Sequence, residues 1–73
     1  MTREEIEADI LVIHNNLYHA LHTAGEFKDV FLSIAEQQKK RVLEKYDLST
    51  ILSIARDVLN EEEYEEFRSF ITK

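Results

Sequence analysis

Ile6, Ile10, Ile13, Leu17, Leu21 and Ala24 recur at alternating steps of four and three, and Gly25, the single glycine of a chain without proline, follows at once. That spacing puts the six side chains on one face of an α-helix. A β fold needs tight turns and bulges, and those draw on the glycines and prolines this chain lacks. The fold class that follows is all-α.

The first helix has a readable start and stop. Thr2 and Glu5 stand at the spacing of a capping box, and Glu4, Glu5 and Glu7 lie where the positive end of the helix dipole favours carboxylates. The helix is predicted from about Arg3 to about Thr23, with Gly25 in the left-handed conformation that commonly ends a helix. Apolar spacing resumes at Phe27, so the connection is short and the first two helices should form an antiparallel hairpin.

The second helix, about Phe27 to Tyr46, offers Phe27, Val30, Phe31, Ile34, Ala35 and Val42 as the partner stripe, interrupted by Gln38. Lys39, Lys40, Arg41 and Lys45 fall in its last turns, where positive charge suits the negative end of the dipole; a phosphate-binding patch is the sharper and less favoured reading. Asp47 can cap a third helix carrying Leu48, Ile51, Leu52, Ala55, Val58 and Leu59, with Ile54 beside them. Asn60 and Glu63 repeat the capping signature, and Leu59 and Tyr64 are placed as a hydrophobic staple, which argues for a break before a fourth helix from about Glu61 to Thr72. No glycine or proline enforces that break, so a fused third and fourth helix is the alternative. The reading is a single domain over residues 1–73, a compact four-helix bundle of two long helices in a hairpin followed by two short ones. Ile10, Ile13, Leu17, Phe31, Ile34, Ile51, Ala55 and Phe67 are its expected core.

A chain of 73 residues is near the lower size limit for a self-sufficient core. Without cysteine it can add neither a disulfide nor a thiolate zinc site, so oligomerisation is the remaining support. A net charge of -6 and a pI near 4.9 repel phosphate backbones, which makes direct nucleic-acid binding an unfavourable expectation. The amino-terminal residues are acidic where a signal peptide is basic, and the aliphatic run Ile10 to Ile13 is far too short to span a bilayer. The expectation is a cytoplasmic protein without a membrane partner.

Little in the chain suggests chemistry. His19 and His22 stand three apart, but no Glu-x-x-His or His-Glu-x-x-His pattern completes a metal site. Ser33, Ser49, Ser53 and Ser69 fall in helices with no elbow to activate a hydroxyl, and one glycine cannot build a phosphate loop. The reading is therefore non-enzymatic, with no cofactor and no metal.

Three functions fit. The preferred one is a small regulatory module that presents a helical surface to a protein partner, as a homodimer through Leu11, His14, Tyr18 and His22, which lie away from the Ile10 and Leu17 stripe. Protonation of His14 and His22 should weaken such a dimer at about pH 5.5. The runner-up is an acidic inhibitor in which Asp57, Glu61, Glu62, Glu63, Glu65 and Glu66 imitate phosphates and block the basic groove of a nucleic-acid-binding protein. A DNA-binding helix-turn-helix over Ser49 to Phe67 ranks third, because its second helix would bring glutamates to the major groove.

Overall fold

Four helices, α1 (Arg3–Leu21), α2 (Glu26–Lys45), α3 (Leu48–Val58) and α4 (Glu61–Ile71), make up the chain in a computed structural model that describes residues 2–73. α1 and α2 pack antiparallel, and α1 is the helix against which the other three all rest. The radius of gyration of 11.7 Å is close to the value of about 11 Å expected for a compact chain of this length.

The helix ends follow from local hydrogen bonding. Thr2 Oγ1 accepts from the Glu5 N–H at 3.3 Å, half of the expected capping box. α1 stops at Leu21, where the His22 N–H turns back to the carbonyls of Tyr18 and His19. Gly25 does not occupy the left-handed helical well expected of it: φ is 76° and ψ is -151°, and it is the N-cap of α2 rather than the terminator of α1. That region of backbone space is open essentially only to glycine, so the position of the one glycine is dictated by the turn. At the other boundary, Asn60 and Glu63 cap each other reciprocally at 2.8 and 3.0 Å, which separates α3 from α4 and rules out the fused helix. Leu59 and Tyr64 are both buried beside that cap, as a staple requires.

One buried cluster joins all four helices. Ile10 and Ile13 from α1, Ile51 from α3 and Phe67 from α4 are fully enclosed, with Val42 of α2 beside them. Ile6, Leu17, Ala55, Phe70 and Ile71 extend it. Three members of the stripes expected on α1 and α3 lie outside it: Leu21 and Leu48 are exposed, and so is Ala24, which follows the end of α1; on α1 Ala20 is buried where Leu21 was expected to be.

The larger correction concerns α2. Of its expected stripe only Ala35 and Val42 are buried; Phe31 is half-buried and Ile34, Val30 and Phe27 are exposed to 37, 52 and 62 %. The side that meets the core is Leu32, Ala35, Lys39, Val42 and Tyr46, a regular alternation of three and four turned by roughly 80° from the aliphatic one, taking about 100° per residue. Gln38 sits at its edge, half-buried.

Lys39 holds an inward position because a lysine stem is apolar and only its head needs polar company. Its Nζ donates to the Phe70 carbonyl at 2.8 Å and stands 5.1 Å from the centre of the Phe70 ring. The cation therefore serves the carboxy-terminal end of α4, not only that of its own helix, by adding a charged donor to a carbonyl of its last turn. Lys39→Met keeps the stem and removes the charge, and should cost about 1–2 kcal/mol. Hydrogen exchange should localise the loss to the last turn of α4; uniform acceleration across all four helices would contradict this role.

The far end of the hairpin is closed by Tyr46, whose hydroxyl donates to Asp9 Oδ2 at 3.0 Å. Desolvation first, and then the Asp9 carboxylate, raise the Tyr46 pKa above its ordinary value of 10.0. The folded chain therefore keeps this phenol neutral in a pH range where the unfolded chain ionises it. Its contribution is complete below about pH 10 and fades as pH rises through the folded value. Tyr46→Phe should lose less stability than the natural chain between pH 8 and pH 11 in urea titrations; an identical alkaline loss would show that the hydroxyl is not coupled to folding.

Candidate functional site

Three surface features are assembled by this packing. The first lies along the border of α1 and α4. Tyr18 of α1 and His22, the residue that caps it, are four positions apart, with ring centroids 4.2 Å apart, and His14 lies on the other side of Tyr18 at 6.4 Å. Opposite them the first turns of α4 bring Glu62, Glu63 and Glu66, and the two rows enclose a cleft of about 290 Å³. Residues expected on two separate surfaces, an aromatic face and an acidic one, thus line one groove.

Their individual environments differ. Leu11, Tyr18 and His22 are exposed, but His14 is buried at 9 % exposure, with Nε2 3.2 Å from Glu63 Oε2 and Nδ1 enclosed without a hydrogen-bond partner. Glu63 is thereby occupied twice, one carboxylate oxygen completing the α4 cap and the other facing His14.

The acidic set is also divided. Asp57 lies away from the groove and pairs with Arg3 at 2.9 Å; Asp57 and then Glu7 hold the Arg3 guanidinium pKa above its ordinary value. Glu65 pairs with Arg68 at 2.9 Å and raises the Arg68 pKa in the same way. Among the described residues, Glu61, Glu62 and Glu66 are the members left without a cation within ion-pair distance. Exposed pairs of this kind contribute little to stability, but they reduce the charge a basic groove would meet.

The second feature is an open cleft of about 470 Å³ where the amino-terminal end of α2 diverges from α4, floored by Leu17, Ala20, Leu32 and Phe70 and edged by Lys28 and Lys73. The third is the exposed ridge of α2, Phe27, Val30 and Ile34, which turns away from the core. His19 of α1 stacks on Phe31 at its border, with ring centroids 5.2 Å apart. Sequence spacing does not distinguish the ridge from a core stripe, and only its exposure does.

Among the described residues no group of three histidine or carboxylate side chains is placed to hold a metal ion, and no helix is long and apolar enough to cross a membrane. Ser33, Ser49, Ser53 and Ser69 all lie inside helices. Comparison with protein-family models, with curated proteins and with solved structures returns no match.

Proposed function

We propose that this chain is a non-enzymatic interaction module that presents one helical surface, the α2 ridge of Phe27, Val30 and Ile34, to a protein partner. The observation that carries the reading is the exposure of these three apolar side chains, two turns of one helix, where fifteen other apolar side chains among the described residues are buried. Scattered exposed apolar residues are ordinary on protein surfaces; a contiguous row on one helix face is the arrangement used for docking. Nucleic-acid mimicry is a weaker reading, because it needs an unbroken field of free carboxylates and Asp57, Glu63 and Glu65 are already engaged.

The test is capture from host lysate on the immobilised chain, run in parallel with three variants. A partner retained by the natural chain and by Tyr18→Glu but lost by Ile34→Glu supports the ridge. A partner lost instead when Glu62, Glu65 and Glu66 are changed to Lys would replace it with the acidic face. All these positions are exposed or half-buried, so the variants should fold with stability changes within about 0.5 kcal/mol per site.

A further inference from the structure

Resting on the reading of the ridge as the docking surface, we propose that its occupant is a second copy of this chain, bound through α2 in antiparallel orientation about a two-fold axis beside Ile34.

The face that carries Phe27, Val30, Phe31 and Ile34 continues at the same spacing into Gln37, Gln38 and Arg41. An apolar centre followed by amide and guanidinium groups is a composition typical of interfaces, where aromatic residues and arginine are enriched. Charge decides the orientation. The amino-terminal end of α2 carries Glu26 and Asp29, with Lys28, the one cation among them, lining the cleft beside Phe70, and its carboxy-terminal end carries Lys40, Arg41 and Lys45, with Glu44 the one carboxylate among them. Lys39, the remaining cation of that end, is turned to Phe70. Parallel pairing would set acid against acid and base against base, and would align the two helix dipoles. Antiparallel pairing puts each acidic end beside the basic end of the other copy and opposes the dipoles.

An axis beside Ile34 lies midway between Phe27 and Arg41. Each copy then lays its Arg41 guanidinium over the Phe27 ring of the other, with Glu26 beside that same Arg41, once at each end of the contact. A closed pair uses the same patch on both partners, as two-fold symmetry requires.

Sedimentation equilibrium of the full chain, at concentrations up to the order of 100 μM, tests the pairing through reciprocal charge variants. The natural chain should form a dimer, and Ile34→Glu should raise its dissociation constant at least about tenfold. Lys40→Glu with Arg41→Glu, and separately Glu26→Lys with Asp29→Lys, should each dissociate by a similar factor, since each alone places like charges at both ends. Mixed in equal amounts, the two variants should pair with each other and recover an affinity within about threefold of the natural dimer. Circular dichroism of each variant checks that the helices persist. A natural chain that remains monomeric overturns the second copy as occupant, and leaves the ridge to be judged by its loss of a captured partner. A dimer indifferent to the charge variants overturns the antiparallel arrangement. A dimer that survives Ile34→Glu and is lost with Tyr18→Glu overturns both this pairing and the ridge.

Discussion

Phe67→Ala is expected to lower the free energy of unfolding by about 3–5 kcal/mol, the usual cost of deleting a sealed aromatic ring. Phe67 has no exposed surface and belongs to the same buried cluster as Ile10, Ile13 and Ile51, so its ring is part of what fastens α4 to α1 and α3. The loss has two parts: the transfer of the ring to water in the unfolded chain, and a void that rigid helices on three sides cannot collapse to fill. A domain of this length has a total stability on the order of 4–11 kcal/mol, so the variant should be partly unfolded at room temperature in dilute buffer. Urea denaturation followed by far-ultraviolet circular dichroism measures the change; a loss below about 2 kcal/mol would mean that α4 docks through other residues.

Helix number, order and type were legible because several local signals agreed at each boundary. Thr2 with Glu5 and Asn60 with Glu63 marked the starts of α1 and α4, and the structure confirms both as caps. Gly25 marked the hairpin, but its conformation depends on how the chain must reverse between Leu21 and Glu26, which spacing does not encode. The face of α2 was not legible. Its true inward row contains Lys39 and Tyr46, which an apolar count ignores, while Phe27, Val30, Phe31 and Ile34 form a wholly apolar row one step around the helix. Tertiary context chose between them: Tyr46 finds Asp9 and Lys39 finds the Phe70 carbonyl, and both partners are distant in sequence.

The surface of α1 was legible from projection alone, since Tyr18 does lie between His14 and His22. That His14 would be enclosed by Glu63, and that the groove would be shared with α4, depends on the crossing of two helices far apart in the chain. The α2 ridge has the spacing of a core stripe, so spacing alone does not mark it as surface. In a small helical domain one bundle covers one face of a helix, so a second apolar row is left on the surface.

Leu17→Ala, on the seam of α1, should cost about 2–3 kcal/mol, the lower part of the range of about 2–5 kcal/mol found for leucine truncations. Leu17 is only 6 % exposed, yet its side chain also forms part of the floor of the 470 Å³ cleft between α1, α2 and α4. Removing it deepens a cleft already open to solvent, so water can occupy the vacated space and the penalty for an empty cavity largely disappears. The transfer cost of the lost methyl groups remains. Ile13, one turn earlier on the same helix, has no exposed surface and is the natural comparison. Ile13→Ala should be the more costly of the two in parallel urea titrations, despite removing the same number of carbon atoms. A loss below about 1 kcal/mol for Leu17→Ala would place Leu17 outside the core, and a loss matching that of Ile13→Ala would show that the cleft is closed in solution.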